Sequence, residues 1–115
     1  MKSTVTLLER EGRSTVLDYT SRLVCSKRSN GALSLWLTES SDIGSVRRLV
    51  AREVRTPAAF VDAVLSVNEW TDLELDYLTI RDELCDRLRK VDPDFAASVG
   101  HLANDRFRRA HPRAA

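Results

Sequence analysis

Small enzymes rely most often on histidine and cysteine, and this chain has two of each: Cys25, Cys85, His101 and His111. A thiolate activated by an imidazole base would need one of those histidines folded against one of those thiols. A zinc site would need all four as ligands, but the intervals between them (60, 16 and 10 residues) contain no short ligand pair. Cys25 falls on the apolar face of a predicted strand and Cys85 beside the apolar stripe of a predicted helix, where cysteines act as small hydrophobes. Asp72, Asp76, Asp82, Glu83 and Asp86 decorate one predicted helix without a histidine, a glycine turn or calcium-loop spacing among them, so they read as a solvated acidic face. The glycines at 12, 31, 44 and 100 spell neither GxGxxG nor GxxxxGK[ST], so no phosphate-cradling loop is expected. These residues predict a chain with no catalytic site, no metal and no cofactor.

Recognition chemistry is better represented. At helical spacing, Arg48, Arg52 and Arg55 form a basic ridge opposite Val46, Val50 and Val54. Asp72, Asp76, Glu83 and Asp86 form an acidic ridge on the third predicted helix. Trp36 falls on the even, outward face of the third predicted strand, opposite Val24, where a tryptophan can anchor an interface. Leu75, Leu78 and Cys85 widen the apolar arc of the helix over 72–90. That helix is either central to the packing or a contact to a second copy of the chain. The two charged ridges and Trp36 are the candidate partner-binding residues.

The elements that position them follow from hydrophobic periodicity. Val5, Leu7, Leu17, Tyr19, Leu23, Cys25, Leu33, Leu35 and Leu37 all lie at odd positions, which predicts strands near 3–9, 14–25 and 32–38 with one apolar face. Turns are expected at Glu11-Gly12-Arg13 and at Ser29-Asn30-Gly31, the second as a type I turn closed by a left-handed glycine. Beyond Thr38 the period lengthens to about 3.6 residues. Ile43, Val46, Val50 and Val54 predict a helix over 42–54. Thr56-Pro57 caps a second, marked by Phe60, Val61, Val64 and Leu65. A capping box of Thr71 and Glu74 opens a third over 72–90, and Asp92-Pro93 starts a fourth. The expected organisation is one α+β domain over 1–115: a three-stranded antiparallel β-meander (1–38), a layer of about four helices (42–109) and a frayed tail (110–115).

The stretch from Val50 to Leu65 resembles the helix-turn-helix of bacterial transcription regulators. Ala51 matches the small residue of the first helix, and Val50, Val54, Val61 and Val64 match the apolar packing positions, while Arg55 stands where the family has its turn glycine. The resemblance implies two short helices and DNA contact, with Arg48, Arg52 and Arg55 touching phosphates. The outward residues of the second helix would be Pro57, Ala58, Ala59, Phe60, Asp62 and Ala63, which offer no side-chain donor to a base edge.

Composition narrows the classes further. The chain has 115 residues, 43% hydrophobic and 30% charged, enough for a folded core, and a net charge of +1 that gives no bulk attraction to nucleic acid or an acidic membrane. With no apolar leader or spanning run it is expected to be cytoplasmic, and 15 arginines against 3 lysines suggest a bacterial or phage source. The function expected is a non-catalytic protein–protein interaction module (an adaptor, assembly factor or small inhibitor), with another protein or a second copy as partner. A small DNA-binding regulator is the alternative.

Overall fold

The computed structural model describes residues 3–13 and 17–112. It is α+β: four antiparallel strands, β1 (Thr4–Arg13), β2 (Asp18–Lys27), β3 (Leu33–Ser41) and β4 (Gly44–Val54), paired in chain order, are followed by helices on one side. The helices are α1 (Pro57–Ser66), α2 (residues 77–88) and α3 (Pro93–Ala110), with a single 3₁₀ turn, Val67–Glu69, after α1. The overall dimensions of 41 × 40 × 20 Å are those of one sheet and one helical layer stacked face to face.

The expected helix over 42–54 is a strand, β4. Valines at 46, 50 and 54 satisfy a helical spacing of four, but even separations also share one face of a strand, and β-branched residues suit the pleat. Two register shifts against β3, between Leu33 and Leu35 and between Leu35 and Trp36, displace the alternation and leave Leu49, Val50 and Ala51 adjacent and all half-buried. The helical layer therefore begins at Pro57, and the stretch resembling a helix-turn-helix is a strand followed by one helix. Gly12 is not a turn residue either. It pairs with Tyr19 inside β1–β2, and a Cβ there would sit 2.3 Å from the tyrosine ring, so the absence of a side chain is what lets the ring lie across the strand. The expected start of the second strand, 14–16, lies outside the described residues. The turn at Ser29-Asn30-Gly31 is as expected: Gly31 has φ +87°, its N–H donates to the Arg28 carbonyl, and Asn30 Oδ1 accepts from Ala32 N–H.

Asp76, not Thr71, caps α2: its carboxylate accepts from Thr79 N–H at 2.8 Å, and Glu74 is left-handed at φ 54°. The cause is Asn68, whose amide donates to the Leu75 carbonyl and accepts from Leu75 N–H, both at 2.7 Å, holding that backbone away from helical geometry. Leu75 is buried, so both backbone groups depend on this one side chain. Asn68→Ala is expected to cost about 2–3 kcal/mol in denaturant unfolding, with Asn68→Asp intermediate because it retains only the acceptor. A loss below about 0.5 kcal/mol would show that water replaces the clamp. Within α2, Ile80–Leu84 forms a π-turn, and Arg81 in it donates to Asn104 Oδ1 of α3 at 2.8 Å.

The core lies between the sheet and the helices, with Leu8, Leu23, Leu35 and Leu37 facing Phe60, Val64, Ile80, Leu84, Leu88 and Val99. Leu7 is the extra residue at a register shift in β1, so both Leu7 and Leu8 are buried and the outward face of β1 passes to odd positions. No helix among the described residues is long and apolar enough to cross a membrane.

Candidate functional site

Among the described residues all helices lie on one side, and none covers the other face of the sheet. Strand register arranges its residues in levels. One level runs Thr6, Val24, Trp36, Leu49 from β1 to β4; the next runs Glu9, Arg22, Thr38, Arg47; a third runs Glu11, Thr20, Ser40, Ser45. Trp36 and Val24 are directly paired on the two inner strands and only partly buried, with no helix among the described residues above them. The guanidinium of Arg47 lies over the Trp36 ring at 4.0 Å, which keeps the indole rigid and its cation local. Arg22 donates to Glu9 at 2.5 Å and Arg13 to Asp18 at 2.9 Å. On one side of the apolar row the face carries Glu9, Glu11 and Asp18 together with Arg13, Arg22 and Arg47; on its other side lie Ser26 and Ser34.

The structure scatters the predicted basic ridge. Arg48 sits opposite Leu37 on the helix side and stacks over Trp70 at 4.2 Å; Arg52 is exposed further along β4, and Arg55, beyond its end, pairs with Glu53 at 3.8 Å. Register shifts fall between Arg48 and the end of β4, and Arg55 lies past that end, so the three do not form one line. The acidic ridge also has uses inside the fold. Asp76 is the α2 cap, Glu83 pairs with Arg10 of β1 at 2.6 Å, and Asp86 pairs with Arg89 at 3.0 Å. Asp72 lies before α2, exposed at a cleft of about 320 Å³ that Arg10, Tyr19 and Trp70 also line. Leu75 and Cys85 of the extra apolar strip are buried within the chain, Cys85 against Gly100 of α3. Trp36 is where the alternation of β3 puts it.

Arg47, Leu49, Glu9 and Arg22 were not among the predicted site residues. Reading 44–54 as a strand would have brought Arg47 and Leu49 to the Trp36 face. Glu9 and Arg22 become its neighbours only through the register of β1.

Sheet residues also extend past the helices. There Ile43 and Val46 are 83% and 70% exposed, beside Tyr19 and Glu39.

Both cysteines are free and buried. Burial, reinforced by the nearby Asp92 carboxylate, pushes the Cys25 thiol from its usual 9.0 up to about 12. Burial raises Cys85 to about 11, with Arg89 opposing it. A thiol so disfavoured as thiolate is a poor nucleophile at neutral pH. His101 is exposed on α3, and His111 lies against the Phe107 ring at 4.7 Å. Among the described residues no three His, Cys, Asp or Glu converge as metal ligands.

Compared with family models, curated proteins and solved structures, the chain finds no significant match. Its function must be read from the surface it presents.

Proposed function

We propose that this chain is a non-catalytic protein-interaction module that binds through the open face of its sheet. The observation that supports this most directly is the apolar strip Val24–Trp36–Leu49 on a face that no helix among the described residues covers. An apolar row flanked by polar and ion-paired side chains suits a protein-binding patch, and a tryptophan is a usual anchor of one. Phosphate binding would call for an excess of cations, whereas here Glu9, Glu11 and Asp18 lie among the arginines.

The test is capture of a partner by wild type and by Trp36→Ala. Removing the anchor is expected to weaken binding by about 30-fold or more, the effect of losing a hot-spot residue, with the thermal midpoint nearly unchanged. Asp94→Ala, on the exposed start of α3, is expected to leave capture intact. Equal capture by wild type and Trp36→Ala would refute the reading, as would tight binding of wild type to arbitrary duplex DNA at physiological salt.

A further inference from the structure

We infer that the occupant of the open sheet face is a second copy of this chain, packed sheet to sheet about a two-fold axis that runs along the strands between β2 and β3. This rests on the interaction reading above and specifies its partner.

Such an axis exchanges β1 with β4 and β2 with β3 while keeping each residue at its own level. At the apolar level, Trp36 of one copy then lies over Val24 of the other, and Leu49 over Thr6. At the next level, Arg47 lies over Glu9 of the second copy, and the operation makes the reciprocal contact as well. The carboxylates of this face sit on β1 and β2, with Glu9 and Glu11 on the β1 edge, while Arg47 lies on the β4 edge. Arg13 and Arg22, also on β1 and β2, stay paired with Asp18 and Glu9 within each copy, so the charge match across the axis is the reciprocal Arg47–Glu9 pair. The alternative of an axis across the strands would bring different levels together and lose the Arg47–Glu9 match.

Size and net charge agree with this packing. Four strands about 4.8 Å apart and about ten residues long at 3.3 Å each present roughly 600 Å² per copy, so a dimer covers roughly 1,200 Å², at the lower end of specific interfaces. A net charge of +1 sets up no long-range repulsion between copies. Two such sheets pack in the aligned manner, with the twist of each setting the angle between them. The small area makes the dimer concentration-dependent.

The experiment is sedimentation velocity over a concentration series with the full chain, its Glu9→Arg and Arg47→Glu variants and the double variant. Wild type is expected to pass from monomer to dimer with concentration. Each single reversal is expected to weaken the dimer about tenfold or more, because it sets like charges across the interface, and the double reversal to recover most of that loss. Circular dichroism melts check that each variant remains folded, and the recovery in the double variant cannot come from a folding defect. A dimer indifferent to both reversals, or two losses that simply add, would overturn the inference. A wild type that stays monomeric at every concentration also overturns it, and capture then tells the two readings apart. If a different protein is still captured and lost in Trp36→Ala, only the self-association falls; if capture ignores Trp36→Ala, the interaction reading falls too.

Discussion

Phe60→Ala is expected to remove about 3–5 kcal/mol of stability, which for a domain of this size lowers the thermal midpoint by roughly 10–20 °C. Phe60 is completely buried on α1 and meets the ring of Phe95 edge to face, with centroids 5.8 Å apart and planes at 78°. Truncation leaves a ring-sized void between α1 and α3 and also deletes the aromatic contact. Folding free energies of domains are themselves only about 5–15 kcal/mol, so this one change consumes much of the margin. Phe60→Leu fills most of the void and is expected to cost under about 1.5 kcal/mol. The comparison also decides between two readings of the same residue. In a helix-turn-helix Phe60 would point outward and its loss would hardly register; as the core residue of α1 it is among the most costly side chains to remove. A measured loss within about 1 kcal/mol would place it at the surface and overturn the packing of α1.

The second large effect is alkaline. Cys25 titrates at about 12 in the fold and at 9.0 in an unstrained chain. The folded state therefore holds its proton over a window in which the unfolded state has released it. Stability from this group is fully present below pH 9 and falls as pH climbs from there toward 12, because the unfolded chain binds fewer protons in that window. By about pH 10.5 the loss is roughly 2 kcal/mol. To isolate this thiol, the quantity to measure is the stability gap between wild type and Cys25→Ala as a function of pH. At neutral pH the gap reflects lost packing alone. Above pH 9 wild type is expected to lose stability faster than Cys25→Ala, and the gap narrows and then reverses. A gap that stays constant to about pH 10.5 would mean that Cys25 ionises as readily folded as unfolded, contrary to its burial between sheet and helices.

These two residues illustrate how far local pattern reaches. Alternation of apolar side chains identified β2 and β3, the face they bury and the outward position of Trp36, because a strand's two faces are set by parity alone. The Gly31 turn was equally legible, since only a residue without a Cβ adopts a left-handed turn without strain. Thr56-Pro57 and Asp92-Pro93 marked the starts of α1 and α3 for the same kind of reason: cap and proline act within one turn of backbone.

What the tertiary structure decided are the places where two local solutions compete. Residues 44–54 fit a helix and a strand about equally, and pairing with β3, together with two register shifts that spoil the alternation, selects the strand. Thr71 and Asp76 could each have started α2, and Asn68 gripping the Leu75 backbone selects Asp76. The open face depends on both kinds of information. Trp36 and Val24 belong to it by parity, but Arg47 and Leu49 join only because 44–54 is a strand. Glu9 joins only because the register shift at Leu7 turns the odd positions of β1 outward. Parity is a property of each strand by itself. Register is a relation between strands, and it becomes definite only when the core closes around them.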